Sequence, residues 1–305
     1  PFKTTTLQQE AGNKLRFSAG RTMSVAQGLY ERGYITYMRT DSVKLSEQAI
    51  GAARAQIVER FGNDYLPSAP RAYAGKAKNA QEAHEAIRPA GARFRTPEVV
   101  RGELSRDEQA LYELIWMRTV ACQMTDARGR RVTLRLTGAS SASEEAIFRA
   151  SGRTYEFLGF RKAYVDVSED PEPDEGEAVL PTVGEGEGVA CNGIDAAGHT
   201  TQPPARYTEA TLVKVLEDSG IGRPSTYAPT IEKITSERGY VWKKGNALVP
   251  SWTAFAKTQL LERYFAHLVD YGFTATMEEA LDAVARGEAE AEKWLHTFYF
   301  GNGSA

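Results

Sequence analysis

Apolar positions along the chain change their spacing twice, and the changes mark three zones. Over residues 1 to about 125 the spacing is mainly helical. Ser24-Val25-Ala26-Gln27-Gly28-Leu29-Tyr30 predicts a short helix with Ser24 as its N-cap and Gly33 as a left-handed stop. Tyr34-Ile35-Thr36-Tyr37 concentrates aromatic and β-branched side chains and predicts a short strand. Ser46 is placed to cap a second helix reaching about Phe61, with a loop at Gly62-Asn63 and Pro67 to Pro70. Ser105 to Met124 predicts a long helix, with Leu111, Leu114 and Ile115, and Leu104 just before its start, on one face.

Over residues 126 to about 205 the spacing becomes two. Val132, Leu134 and Leu136 alternate with polar residues, and Phe148, Ala150, Tyr155 and Phe157 predict short strands on either side of a turn at Ser151-Gly152. Ser168 to Gly176 is acidic, contains Pro171 and Pro173, and predicts a solvated loop. Helical spacing returns over 206–305. Leu212, Val213, Val215 and Leu216 form an apolar helix stopped by Gly220, and Ser225 or Thr226 starts another running to about Glu237. Tyr240 to Val249 predicts a hairpin turning at Gly245-Asn246. Together these give a mixed α and β, multidomain chain with divisions at 1–125, 126–205 and 206–305.

Composition narrows the class. Of 305 residues, 42% are hydrophobic and 25% charged, which excludes a fully disordered or collagenous chain. No apolar run reaches the ~18 residues of a membrane span. The start, Pro1-Phe2-Lys3-Thr4, has neither a signal-peptide core nor an initiator Met, so a fragment is expected. Cys122 and Cys191 are too few for a disulfide scaffold or an all-cysteine zinc site, and a reducing, cytoplasmic compartment is the expectation. The net charge of −3 argues at first against a nucleic-acid partner. Residues 165–190, however, hold nine acids and no Lys or Arg, so the remainder is +6, and residues 1–40 hold six bases against two acids. A polyanion responds to that local field rather than to the sum. Both charge clusters are equally compatible with solvated faces.

The chemistry concentrates in Gly33-Tyr34-Ile35-Thr36-Tyr37-Met38-Arg39-Thr40-Asp41-Ser42. A phenol stands two residues before a guanidinium, and extended geometry would put Tyr37 and Arg39 on one side. A free Tyr is a weak nucleophile at neutral pH. A nearby cation favours the phenolate and neutralises phosphate oxygens, which Arg can grip bidentately. A core tyrosine with Arg39 in a surface salt bridge fits the same residues. Gly222-Arg223-Pro224-Ser225 lies between two helices, and with Lys243-Lys244 in the hairpin behind it residues 206–250 read as a winged helix. Ser225 and Pro224 equally suit plain helix initiation. Tyr227, Tyr240 and Trp242 could stack on unpaired bases or fill a core.

The tyrosine segment resembles the nucleophile motif of the type IA DNA topoisomerases, and Met38-Arg39-Thr40-Asp41-Ser42 is most similar to the bacterial topoisomerase I branch. The resemblance covers nearly the whole chain. It extends through Thr4-Thr5-Thr6-Leu7-Gln8-Gln9-Glu10-Ala11, Asn79-Ala80-Gln81-Glu82-Ala83-His84-Glu85-Ala86-Ile87-Arg88-Pro89, Gln202 to Ala210, Gly220 to Ala228, Arg238-Gly239-Tyr240-Val241 and Asp270 to Glu279, in the family's order. Gln8 to Glu10, Asn79-Ala80-Gln81 and Phe298-Tyr299-Phe300-Gly301 look most like the actinobacterial enzymes.

That resemblance implies a helical nucleophile domain, a β-rich hinge domain and a helical winged-helix-like domain. Tyr37 matches the family's nucleophile, which forms a 5′-phosphotyrosine link, and Arg39 matches the residue that holds the scissile phosphate. His84, Arg223, Thr226 and Arg238 match DNA-binding positions, with Lys214, Glu31 and Asp41 as weaker candidates. Implied partners are single-stranded DNA and negatively supercoiled duplex DNA, acted on by a monomer in the bacterial nucleoid without ATP and without a membrane. The family uses Mg²⁺ held by a TOPRIM domain that is not in this sequence, so no metal ligand is assigned here and poor cleavage by the fragment alone is expected. A non-catalytic single-stranded-DNA-binding fragment is the alternative reading. A phosphotyrosine-forming recombinase or nickase is a third, and it usually surrounds its tyrosine with several bases.

Overall fold

The computed structural model describes residues 1–73, 85–139, 144–164, 180–181 and 183–301. The acidic loop expected at Ser168 to Gly176, and His84 with residues 79–83 before it, lie outside the described residues. The helices of the first zone are α1 (Thr4–Glu10), α2 (Ala19–Glu31), α3 (Glu47–Phe61), the short α4 (Pro97–Val100) and α5 (Arg106–Ala121).

Local chemistry sets most of their ends. Ser46 caps α3 by accepting from the Ala49 amide at 3.3 Å. Ser105 and Glu108 form a reciprocal capping box on α5, satisfying two amides that lack helical partners. Helix α2 is longer than expected. Its cap is Ser18, which accepts from the Arg21 amide at 3.1 Å, and Ser24 sits within the helix. Gly33 ends it as expected, at φ +75°. The Gly33 amide donates to Tyr30 O at 2.9 Å and the Tyr34 amide to Leu29 O at 2.8 Å, the paired bonds of a Schellman stop.

Two expectations are corrected. Tyr34 to Tyr37 is not a strand. Only Ile35 makes a β-bridge, to Pro89, and a proline has no N–H to extend a ladder. Ser151-Gly152 is not a turn. One long strand, β2 (Glu145–Phe157), runs through it and pairs antiparallel with β1 (Arg128–Ala139), with Thr133 opposite Ser151 and Val132 opposite Gly152. Period-two alternation continues through both residues, so register overrides their turn preference. The ribbon is exposed along most of β1, with Leu136, Ile147 and Phe148 open to solvent.

The third zone begins with α6 (Glu209–Asp218), stopped by Gly220 at φ +70°, and α7 (Tyr227–Glu232), which continues as a π-turn over Lys233–Glu237. The hairpin β3 (Val241–Lys244) and β4 (Ala247–Pro250) turns at Gly245-Asn246 as expected. Helices α8 (Trp252–Tyr264), α9 (Tyr271–Ala285) and α10 (Ala291–Phe300) follow, and none of their residues is buried.

The core is continuous across the first and third zones. Phe2, Leu7, Leu29, Ile57, Leu111 and Ile115 of the first pack in one cluster with Val213, Tyr227 and Ile231 of α6 and α7. Helix α1 lies along α6, and α2 along α7. The Lys3 ammonium and the Thr5 hydroxyl both donate to Glu217 Oε1, at 2.6 and 2.9 Å. At the other end of α6, Glu209 accepts from the Ala19 amide at 2.7 Å and pairs with Lys243. This packing sets the third-zone loop beside the tyrosine segment.

Candidate active site

The segment 34–42 is fixed on two sides. On one, the Thr36 amide donates to Arg88 O at 2.9 Å, the Thr36 hydroxyl to Ala86 O at 2.7 Å, and the Ala90 amide to Tyr34 O at 2.9 Å. On the other, the Thr4 hydroxyl donates to Met38 O at 2.7 Å, and the Thr40 amide donates back to Thr4 Oγ1 at 2.9 Å. Met38 is buried, and its neighbours Tyr37 and Arg39 are half-buried and exposed. Tyr37 therefore projects from a backbone anchored at the residues before and after it. Its ring meets Tyr30, at the end of α2, edge to face at 5.2 Å. The arrangement presents a half-buried phenol on an anchored backbone, two residues before an exposed guanidinium.

Arg88 is the anchor of that arrangement, and nothing in its residue type alone singled it out. It is buried and grips Glu85 bidentately at 2.8 and 2.7 Å, while Nη1 donates to Pro89 O at 2.8 Å. Burial raises the Glu85 carboxyl, but Arg88 and the Ser46 amide outweigh it and hold the group below the usual carboxylate range. Glu85 thus ties α3's cap to the stretch 86–88 whose carbonyls accept from Thr36.

The third-zone candidates sit on the loop from Gly220 into α7. Gly222 takes φ +86°, and a Cβ there would stand 3.0 Å from Tyr227 Cε1. Only glycine fits both constraints. Thr226 is exposed, with Oγ1 accepting from the Arg223 amide at 2.8 Å. Arg223 donates to Gly222 O at 2.8 Å and pairs with Asp282 and Glu278 of α9. The side chain read as a DNA contact is thus held by carboxylates from 55 and 59 residues further along the chain. Tyr227 is 5% exposed, and burial first, then the charges of Glu217, Glu278 and Asp41, push its hydroxyl up to about 12 against the opposing Arg223. Asp41, Glu217, Tyr227, Arg223 and Glu278 therefore share one electrostatic neighbourhood. Arg238 stands apart, exposed at the end of the π-turn before the hairpin. Lys214 and Glu31 are also exposed. Tyr240 accepts from Lys257 Nζ at 2.7 Å, which lowers its hydroxyl. Among the described residues no group of three or more His, Cys, Asp or Glu side chains is placed to hold a metal ion.

The family model described as DNA topoisomerase matches residues 1–296. The chain belongs to that family. It is 59% identical to DNA topoisomerase 1 of Streptomyces coelicolor, covering 99% of this chain and 32% of that protein. It is 58% identical to DNA topoisomerase 1 of Mycobacterium tuberculosis, covering 99% and 33%. The structure of full-length topoisomerase I from Thermotoga maritima superposes with a TM-score of 0.76 at 35% identity, over 99% of this chain and 48% of that one. The chain spans about a third of the length of the curated relatives it matches. The mixed α and β fold is thus that of a bacterial type IA topoisomerase, with the actinobacterial likeness read from the sequence. Among the described residues no helix is long and apolar enough to cross a membrane.

Proposed function

We propose that this chain is the strand-cleaving and gate region of a bacterial type IA DNA topoisomerase that relaxes negative supercoils without ATP. In this reading Tyr37 Oη attacks a backbone phosphorus of a single strand. The P–O3′ bond breaks, the 3′-hydroxyl leaves with a proton, and the 5′ side stays esterified to Tyr37. Arg39 neutralises the non-bridging oxygens. Resealing reverses the exchange, one ester for another, so no cofactor energy is consumed. Zone one (1–125) carries the nucleophile, the β-ribbon zone (126–205) is the hinge on which it lifts, and zone three (206–305) holds the strand through Arg223, Thr226 and Arg238. His84 of the 79–89 motif would face the same backbone. Any Mg²⁺ would be held by residues outside this sequence. Single-stranded and negatively supercoiled DNA in the bacterial nucleoid, met by a monomer, are the partners that fit.

The observation that carries this reading is Tyr37, half-exposed between two backbone anchors beside an exposed Arg39. In the full-length enzyme with Mg²⁺ and negatively supercoiled plasmid, relaxed topoisomers should form without ATP and vanish with Tyr37→Phe. Relaxation by Tyr37→Phe at the wild-type rate would overturn the assignment.

A further inference from the structure

A groove of about 930 Å³ runs between α1 with the π-turn that follows it and α6 with the β3–β4 turn. It lies away from Tyr37, one turn along α1 from Thr4, and the cleavage chemistry makes no use of it. Three features mark it as built to hold something. Gln8 lines it at 2% exposure, and both its amide nitrogen and its amide oxygen lack a hydrogen-bond partner. A buried amide left unpaired carries a desolvation penalty that a matching polar edge removes. The wall beside Gln8 is a π-turn, Ala11–Leu15, that ends on Arg16 at φ +60°, the one non-glycine among the described residues with positive φ. Both conformations are unfavourable in isolation and concentrate at ligand sites. The rest of the lining is cationic and aromatic. Arg16, Arg206 and Lys214 form no ion pair among the described residues, whereas Lys243 is neutralised by Glu209. Tyr207 is about half exposed.

An edge that both donates and accepts, an aromatic surface and cations at the mouth match the parts of a nucleotide. A Gln amide pairs bidentately with adenine's N6 and N7, rings stack on the base, and Arg and Lys take the phosphate. We propose that this groove binds one nucleotide of a DNA strand, with the base edge on Gln8 and the phosphate toward Arg16, Arg206 and Lys214. The proposal rests on the topoisomerase reading only for the source of the strand. Of the carboxylates that line the same groove, Glu209 is already committed to Ala19 and Lys243 and Glu10 to Tyr164, while Asp218 is exposed, where solvent and salt screen its charge.

Photocrosslinking of the full-length enzyme with an oligonucleotide carrying 8-azidoadenine tests it. Crosslinked peptides should fall within residues 8–18 or 205–214. Gln8→Leu should cut that yield at least ten-fold while leaving the melting temperature unchanged or higher, because it removes an unpaired buried amide. A purely structural Gln8 would not lose crosslinking as it gains stability. Should Gln8→Leu fail to fold, the exposed Lys214→Glu decides, with an expected loss of at least five-fold. Crosslinks confined to other peptides, or unchanged yields in the variant that folds, overturn the proposal. An 8-azido-AMP arm separates the two sources of a nucleotide. Labelling of the groove that unmodified oligonucleotide fails to displace would also overturn it. Tyr37→Phe should retain groove crosslinking while losing the covalent adduct, so failure here and failure of the cleavage reading are read separately.

Discussion

Glu217 is one of the side chains that tie the third zone to the tyrosine zone, and its removal has a calculable consequence. Its Oε1 accepts from Lys3 Nζ at 2.6 Å and from Thr5 Oγ1 at 2.9 Å. The Lys3 and Glu217 side chains are 28% and 26% exposed, so the pair is neither fully screened nor fully desolvated. Hydrogen bonds to charged groups contribute about 1.5–3 kcal/mol, and exposed ion pairs about 0.2–1. Partial exposure puts the Lys3–Glu217 coupling near 1 kcal/mol, and the Thr5 bond adds roughly as much, so Glu217→Ala should cost about 2 kcal/mol. The assay is a double-mutant cycle of Lys3→Met and Glu217→Gln by urea unfolding, repeated at high salt. A coupling near 1 kcal/mol, only partly lost in salt, is expected. Coupling below about 0.3 kcal/mol, the usual error of additivity, would refute the claim that this contact holds α1 to α6. On the gate reading, about 2 kcal/mol is a roughly 30-fold shift toward the lifted state, visible as faster amide exchange in α1 and α6.

Other expectations test single features. Gly222→Ala should lower stability by about 1–3 kcal/mol, because φ +86° and the Tyr227 ring both oppose a Cβ; an unchanged melting temperature would contradict this. Tyr227, pushed up from an ordinary value near 10 to about 12, contributes stability that is present below pH 10 and lost as pH rises to 12. Tyr227→Phe should therefore flatten the alkaline limb of the stability profile. Glu98 is held at about 2, first by its bidentate bonds to Arg60, against an ordinary 4.5. Its contribution is present above pH 4.5 and lost toward pH 2, so Glu98→Gln should flatten the acid limb, by a small amount because the pair is largely exposed.

What was legible in the sequence was mostly short-range. Ser46, Gly33, Gly220 and Gly245 mark helix ends and a hairpin turn because a cap or a left-handed residue needs only its own neighbours. Ser24 misled because Ser18 also suits a cap, and α2's first amide is answered by Glu209, 190 residues away. The Tyr34 to Tyr37 stretch has strand composition, but its only bridge partner is a proline with no donor. The order of motifs pointed to the family, and Tyr37 and Arg39 were legible as a phenol and a guanidinium two residues apart. The clamp of Arg88 on Glu85, the hold of α9 on Arg223, and the unpaired Gln8 were not legible. Each depends on which distant elements pack together.

Mapping the covalent adduct tests the central claim most directly. Full-length enzyme trapped on single-stranded DNA, digested with nuclease and protease, should yield a peptide with Tyr37 linked through a phosphate to the 5′ side of the break. An adduct on another residue, or a link to the 3′ side, would contradict the account.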